Sequence, residues 1–145
     1  MHLIETNFMN KIFFDTNILI YFSTGNTEKG KMARNLLEKQ KEPMISHQVM
    51  NEFAAACIRK NLLPLDQIKT YLKEFNLFFN VVSMSYSTIE VAFALIEKYS
   101  FSFWDALIVA SALKNDCNTI YTEDLQHNQK ITFGKKHLTV INPFI

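Results

Sequence analysis

Glycine and cysteine are scarce in this chain of 145 residues, which contains three glycines and two cysteines. Three glycines leave no room for a glycine-rich phosphate loop, and neither GxGxxG nor GxxxxGK occurs. The two cysteines, Cys57 and Cys117, argue against a disulfide framework and against a cysteine-rich zinc site. The histidines are scattered without a His-x-x-x-His pair, and no Gly-x-Ser-x-Gly elbow is present. Zinc-hydrolase and serine-hydrolase chemistry are therefore disfavoured.

Long apolar runs are also missing, since no stretch reaches the roughly 20 residues that a membrane span needs. The amino terminus, MHLIETNFMNK, has neither a basic start nor a sustained apolar run, so we do not expect a signal peptide. An apolar fraction of 48% with 20% charged residues is typical of a globular protein, and 145 residues suit one domain. We expect a cytoplasmic protein.

Short apolar segments rich in Val, Ile, Phe and Tyr alternate with longer segments of helical periodicity. The predicted strands are Lys11–Phe14, Met44–Ser46, Phe79–Val82, Thr119–Tyr121 and Thr139–Ile141. The predicted helices are Thr27–Lys41, His47–Lys60, Asp66–Asn76, Ser87–Tyr99 and Phe103–Asn115. Strands that alternate with helices of this length predict right-handed crossovers and a parallel sheet. The predicted fold class is α/β, a three-layer sandwich.

Four acids fall at strand exits or early in helices of this scheme. Asp15 directly follows the first strand, Glu52 lies in the second turn of the helix after MIS, Asp105 opens the apolar helix FWDALIVASAL, and Asp124 follows TIYT. Ligands of open parallel sheets bind beyond the carboxyl ends of the strands. The four carboxylates can therefore converge at one end of the sheet, although their spacing leaves the sheet order open.

Each acid taken alone also has a structural explanation. Asp15 could cap a helix that starts in ILIYF, and Glu52 could be an exposed partner of Arg59. Asp105 fits a capping box that begins at Ser102, and in that case it would also be fixed in orientation.

The polar neighbours of these acids carry further expectations. Asn17 can hold the Asp15 carboxylate or a bound water, and Thr122 could orient Asp124 through its hydroxyl. Two adjacent acids after a strand are common in plain turns, so the segment Thr122-Glu123-Asp124 has an ordinary alternative. Glu123, next to Asp124, should point elsewhere.

The segments FFDTNILIYF, MNEF, SFWDALIVASAL and YTEDLQ, taken in this order, strongly resemble the PIN-domain nucleases, in particular the VapC-type toxins of bacterial toxin–antitoxin pairs. The resemblance covers essentially the whole chain and implies a single nuclease domain over residues 1–145. It implies that Asp15, Glu52, Asp105 and Asp124 form the catalytic, metal-binding quartet. The implied cofactor is Mg²⁺ or Mn²⁺, with Asn17 and Thr122 as supporting residues.

The same resemblance implies a five-stranded parallel sheet in the order 3-2-1-4-5, a homodimer, an RNA substrate and a cognate antitoxin. One departure follows the last segment, where many relatives have Asp-Gly or His-Gly and this chain has His127-Asn128. This departure argues against a fifth acidic ligand.

The chemistry of the residues agrees with this interpretation, because carboxylates without a cysteine or histidine set select hard cations. A phosphatase with an aspartate nucleophile is disfavoured, since its usual second aspartate is replaced by Asn17. A non-toxin PIN nuclease of RNA processing and a non-catalytic PIN binding module remain as alternatives. The binding module would be expected to have lost one of the four acids, and all four are present.

Overall fold

The computed structural model of the protein describes residues 10–145. The expectation that no signal peptide is present concerns residues that lie mostly outside this range. Within residues 10–145, no helix is both long enough and apolar enough to cross a membrane.

The centre of the fold is a six-stranded sheet in the order β3-β2-β1-β4-β6-β5. All strand pairs are parallel except the pair of β5 and β6, which is antiparallel. In this order the five predicted strands correspond to β1, β2, β3, β4 and β6, and they follow the predicted sequence 3-2-1-4-5. The strands are β1 (Ile12–Phe14), β2 (Met44–Ser46), β3 (Asn80–Val82), β4 (Thr119–Tyr121), β5 (Lys130–Phe133) and β6 (Lys136–Ile141).

Helices flank the sheet, with α5 packed against α6, and with α1 packed against both α2 and α3. Five of them correspond to predicted helices, with ends that differ by a few residues. The helices are α1 (Thr16–Ser23), α2 (Glu28–Glu38), α3 (His47–Arg59), α4 (Leu65–Phe78), α5 (Tyr86–Tyr99) and α6 (Phe103–Lys114). The predicted α/β architecture, a mainly parallel sheet with flanking helices, is confirmed.

Two elements go beyond the prediction. Helix α1 follows β1 after a single residue, and its aromatic and β-branched run does not stand out from the strand before it. Strand β5 forms a hairpin with β6, and the connection contains Gly134 at φ +58°, which glycine adopts without steric cost. The sheet is therefore six-stranded and mixed, with one antiparallel strand added at its edge.

The core lies between the sheet and the helices. Phe13, Phe14, Ile45 and Ile120 of the central strands are fully buried. Helix α6 is buried without interruption from Ala106 to Leu113, as its all-round apolar sequence predicts. Asp105 stands immediately before this buried run, in the first turn of the helix.

Candidate metal centre

The carboxyl ends of the two neighbouring strands β1 and β4 meet at the candidate site. Asp15 follows β1, and its backbone N–H donates to the Tyr121 carbonyl at the end of β4 (3.0 Å). Thr122 follows β4 directly, and Asp124 lies two residues further along the chain. Because β1 and β4 pair in parallel, these residues reach the same edge of the sheet.

The Asp15 carboxylate is 6% exposed, and both of its oxygens accept hydrogen bonds. Oδ1 accepts from the Thr16 backbone N–H (2.7 Å), which caps α1, and Oδ2 accepts from the Thr122 hydroxyl (2.8 Å). Burial raises the pKa of Asp15 to about 7 against the lowering effect of these two donors. The charges of Asp124 and Glu52 also raise this pKa, so both lie close enough for electrostatic repulsion.

Thr122 is completely buried and connects Asp15 to the other polar groups. Its hydroxyl oxygen accepts from the Asn17 side-chain amide (3.2 Å) and from the Asp124 backbone N–H (3.0 Å). Asn17 also donates to Oδ2 of Asp124 (3.0 Å) and accepts from the Glu123 backbone N–H (3.3 Å). Asn17 and Thr122 therefore hold Asp15 and Asp124 in one hydrogen-bonded group.

Glu52 approaches from α3, whose amino terminus is capped by the Ser46 hydroxyl. Its Oε1 accepts from the Thr16 hydroxyl (3.0 Å), and its Oε2 accepts from the Gln48 side-chain amide (3.0 Å). None of the ion pairs formed within residues 10–145 involves Glu52, so the proposed pairing with Arg59 does not occur. Glu52 faces the group around Asp15 instead.

Asp105 lies in the first turn of α6, where its backbone N–H donates to the Ser102 hydroxyl (3.1 Å). This contact is one of the two hydrogen bonds of the predicted capping box, and it caps the helix at Ser102. Burial raises the pKa of Asp105, and the charges of Asp124 and Glu52 raise it further, against a lowering hydrogen bond from Ser102. Asp105 is therefore influenced by the charges of Asp124 and Glu52.

The side chains of Glu123 and His127 have hydrogen-bond partners outside the acidic quartet. Glu123 accepts hydrogen bonds from the Tyr21 hydroxyl (2.6 Å) and from Lys29 (2.9 Å), so it points elsewhere, as expected. His127 accepts from the Asn142 backbone N–H at its Nδ1 (3.0 Å).

The donor set is suited to a hard divalent cation, although the carboxylates are not closed around one point. Within residues 10–145, no three side chains of His, Cys, Asp or Glu form a ready-made metal cage. Both oxygens of Asp15 and Glu52 are turned toward protein donors. Mg²⁺ keeps several waters and usually contacts only one or two carboxylates directly, so four acids can hold it partly through water.

The charge balance supports the same conclusion. The ion pairs within the described part of the chain join Lys29 to Glu123, Lys31 to Glu28 and Lys136 to Asp116. None of them neutralises any member of the acidic quartet. Repelling carboxylates, at least one of them deeply buried, are stabilised when a cation binds among them.

Two residues of the site are additional to those predicted. Thr16 and Gln48 hold the two oxygens of Glu52. Gln48 precedes Glu52 by four residues on the same helix, a spacing that places the two side chains on one face. Thr16 follows Asp15 directly. A hydroxyl side chain next to a candidate ligand was the only feature of the sequence that could have indicated its role.

The chain is similar to known proteins both in sequence and in fold. It is 28% identical over 127 residues to Ribonuclease VapC2 of Methanocaldococcus jannaschii, covering 79% of this chain and 85% of that protein. The fold is similar to that of a toxin–antitoxin complex from Klebsiella pneumoniae, with a TM-score of 0.71 and 23% identity over 92% of this chain and 98% of the other.

A second solved structure, VapC20 of Mycobacterium tuberculosis, is a toxin that cleaves the sarcin-ricin loop. It matches with a TM-score of 0.66 and 18% identity over 79% of this chain and 92% of that chain. These likenesses show a shared fold. The PIN domain model matches residues 12–130, which is most of the sequence, and the chain therefore belongs to the PIN-domain family.

Proposed function

We propose that this protein is a Mg²⁺- or Mn²⁺-dependent endoribonuclease that acts as the toxin of a type II toxin–antitoxin pair. The observation that carries the proposal is the hydrogen-bonded group at the carboxyl ends of β1 and β4, in which Asn17 and Thr122 join Asp15 to Asp124 and Thr16 holds Glu52. The charges of Glu52 and Asp124 raise the pKa of both Asp15 and Asp105, so each of these two aspartates is influenced by the other two acids. Membership in the PIN-domain family and similarity to a protein named a ribonuclease support the assignment.

The proposed ligands are Asp15, Glu52, Asp105 and Asp124. A divalent cation bound there would lower the pKa of a bound water, polarise the scissile phosphate and stabilise the leaving oxygen. Asn17 and Thr122 would keep Asp15 and Asp124 in place through the hydrogen bonds at Oδ2 of each carboxylate. We assign no general-base histidine, because a water activated by the cation needs none.

The products follow from hydrolysis by water. Attack of water on phosphorus leaves a 5′-phosphate and a 3′-hydroxyl, and the 2′-hydroxyl of the RNA takes no part. A preference for RNA over DNA would then depend on recognition outside the acidic quartet. Product ends can be identified by labelling with polynucleotide kinase before and after phosphatase treatment.

Metal dependence is tested directly on the purified protein. RNA cleavage should require Mg²⁺ or Mn²⁺, should stop in EDTA, and should return when Mn²⁺ is added in excess. The matched control is Asp124→Asn, which retains the side-chain volume and removes the charge. Cleavage at full rate in EDTA would eliminate the metal mechanism, and equal cleavage by the Asp124→Asn protein would eliminate the proposed site.

The toxin role adds a protein partner. We propose a cognate antitoxin that inhibits by inserting a cationic or polar side chain among the acids, where it would replace the metal, while an apolar helix binds next to the site. The structural similarity to a chain from a toxin–antitoxin complex supports this partner. We also propose a homodimer, as implied by the family resemblance, and light scattering after size-exclusion chromatography measures its mass.

A further inference from the structure

Gln48 has an unusual set of contacts for a buried side chain. It is 6% exposed, and its amide nitrogen donates to Oε2 of Glu52 (3.0 Å) and to the backbone carbonyl of Trp104 (3.2 Å). Its amide oxygen, Oε1, is buried and has no hydrogen-bond partner within the described part of the chain. The amide nitrogen of Gln48 thus donates two hydrogen bonds, whereas its oxygen accepts none.

The orientation of the amide follows from its surroundings. If the nitrogen and oxygen were exchanged, the Gln48 oxygen would face the Glu52 carboxylate and the Trp104 carbonyl, which are both acceptors. That arrangement would lose two hydrogen bonds and add repulsion. The unpaired Oε1 is unfavourable, because a buried polar atom without a hydrogen-bond partner has lost its contacts with water. This penalty is a consequence of keeping both donor contacts.

The two donor contacts connect separate ligand-bearing helices. Glu52 is on α3 with Gln48, whereas Trp104 immediately precedes Asp105 in the first turn of α6. The other oxygen of Glu52 is held by Thr16, the residue after Asp15. The Glu52 carboxylate is therefore fixed from two sides, and Gln48 is the side chain that ties it to the helix of Asp105.

We infer that Gln48 is a positioning residue, which sets the location of the Glu52 carboxylate relative to Asp105 and so prepares the acidic quartet for a divalent cation. The inference rests on the proposed function, because it assumes that the quartet binds a metal. Gln48 itself contacts neither the metal nor the RNA in this role. It acts through Glu52, in the way that side chains behind metal ligands orient them in other metal sites.

The test measures Mn²⁺ affinity without RNA, by calorimetry or by electron paramagnetic resonance, together with the free energy of unfolding in EDTA. The variants are Gln48→Met and Gln48→Leu, which are similar in size and cannot donate. The matched control is Gln40→Met, since the Gln40 side-chain amide donates to the Leu36 carbonyl near the end of α2.

We expect both Gln48 variants to bind Mn²⁺ about 10- to 100-fold more weakly, the usual effect of losing a residue that orients a ligand. Their unfolding free energy should change little, since removal of the unpaired Oε1 offsets the loss of the two donor contacts to Glu52 and Trp104. Gln40→Met should leave Mn²⁺ affinity unchanged.

The remaining outcomes each contradict the inference in a different way. If wild type binds Mn²⁺ and both Gln48 variants bind it equally well, Gln48 does not position a ligand and the proposed metal site is unaffected. If both variants fail to fold, Gln48 is a structural residue. If wild type itself binds no Mn²⁺, the inference and the proposed metal site are both overturned.

Discussion

The Thr122 hydroxyl donates a 2.8 Å hydrogen bond to Oδ2 of Asp15, and this contact joins the ends of the two central strands. The same oxygen accepts from the Asn17 amide and from the Asp124 backbone N–H. A hydroxyl can donate one hydrogen bond and accept two, so every hydrogen-bonding position of the Thr122 hydroxyl is occupied. Thr122 therefore organises the site without itself carrying charge.

Replacement of Thr122 by valine should weaken both folding and metal binding. Valine has almost the same shape but forms none of the three hydrogen bonds, which leaves Asp15 buried with one donor fewer. We expect a loss of roughly 1–3 kcal/mol in unfolding free energy, together with weaker Mn²⁺ binding. Chemical denaturation and calorimetry measure the two effects. Thr122→Ser keeps the hydroxyl and should recover most of the Mn²⁺ affinity; if serine and valine behave alike, the hydrogen bonds have no such role.

Removal of the charge at Asp15 or Asp105 should lower RNA cleavage by orders of magnitude, because both are proposed metal ligands. Asp15→Asn and Asp105→Asn should remain folded, since relief of repulsion among the acids offsets the lost contacts. Circular dichroism checks folding, and a fluorogenic RNA substrate measures the rate. Glu123→Gln is the matched control, because Glu123 is held by Tyr21 and Lys29 and lies outside the proposed ligand set. Turnover close to wild type in both aspartate variants would refute their assignment.

The stability of the metal-free protein should fall as the pH rises from about 4 to about 7. Burial raises the pKa of folded Asp15 from 3.8 to about 7, so the folded protein keeps a proton that the unfolded chain has released. The stabilisation from this proton is complete below the unfolded pKa and is lost as the pH passes through the folded pKa. The total change is on the order of a few kcal/mol.

Urea denaturation in EDTA between pH 4 and pH 8 measures this slope. Asp15→Asn should reduce the slope, because asparagine does not titrate, and the difference between the two proteins isolates Asp15 from the other acids. Mg²⁺ should restore wild-type stability at pH 8 and should have little effect on Asp15→Asn. An unchanged slope in Asp15→Asn would show that Asp15 titrates normally.

Expression of the wild-type protein alone should stop the growth of a bacterial host if it is a toxin, and Asp124→Asn should restore growth. The reason is that toxicity would come from cleavage, which needs the complete ligand set. Growth curves at matched protein levels, confirmed by immunoblot, measure the effect. Growth arrest by the Asp124→Asn protein would instead indicate a module that acts by binding RNA or protein.

The sequence predicted the fold well because its strongest signals are local. Helix α6 is apolar all round and is buried, and the parallel sheet follows from strands that alternate with helices. The two elements that were not predicted, α1 and β5, were missed for local reasons as well. The apolar run of α1 looks continuous with β1, and β5 is an edge strand whose pairing depends on a single glycine turn.

The acids of the proposed site could be nominated from the sequence, but their contacts could not. Asp15 and Thr122 could be named from their positions after two strands, yet their hydrogen bond depends on β1 and β4 being neighbours. The spacing of the acids along the chain contains no information about strand order. Gln48 was not predicted for a related reason. Its amide donates to the Trp104 carbonyl, which belongs to a different helix.

Asp15 and Thr122 are 107 residues apart in the chain, although they share one hydrogen bond. During translation, the first carboxylate emerges long before the hydroxyl that holds it has been synthesised. Strand β1 gains its neighbour β4 only when most of the chain is available, so a nascent fragment has no assembled centre. Under the proposed function, a nascent chain could therefore cleave no RNA until β4 has been synthesised and paired with β1.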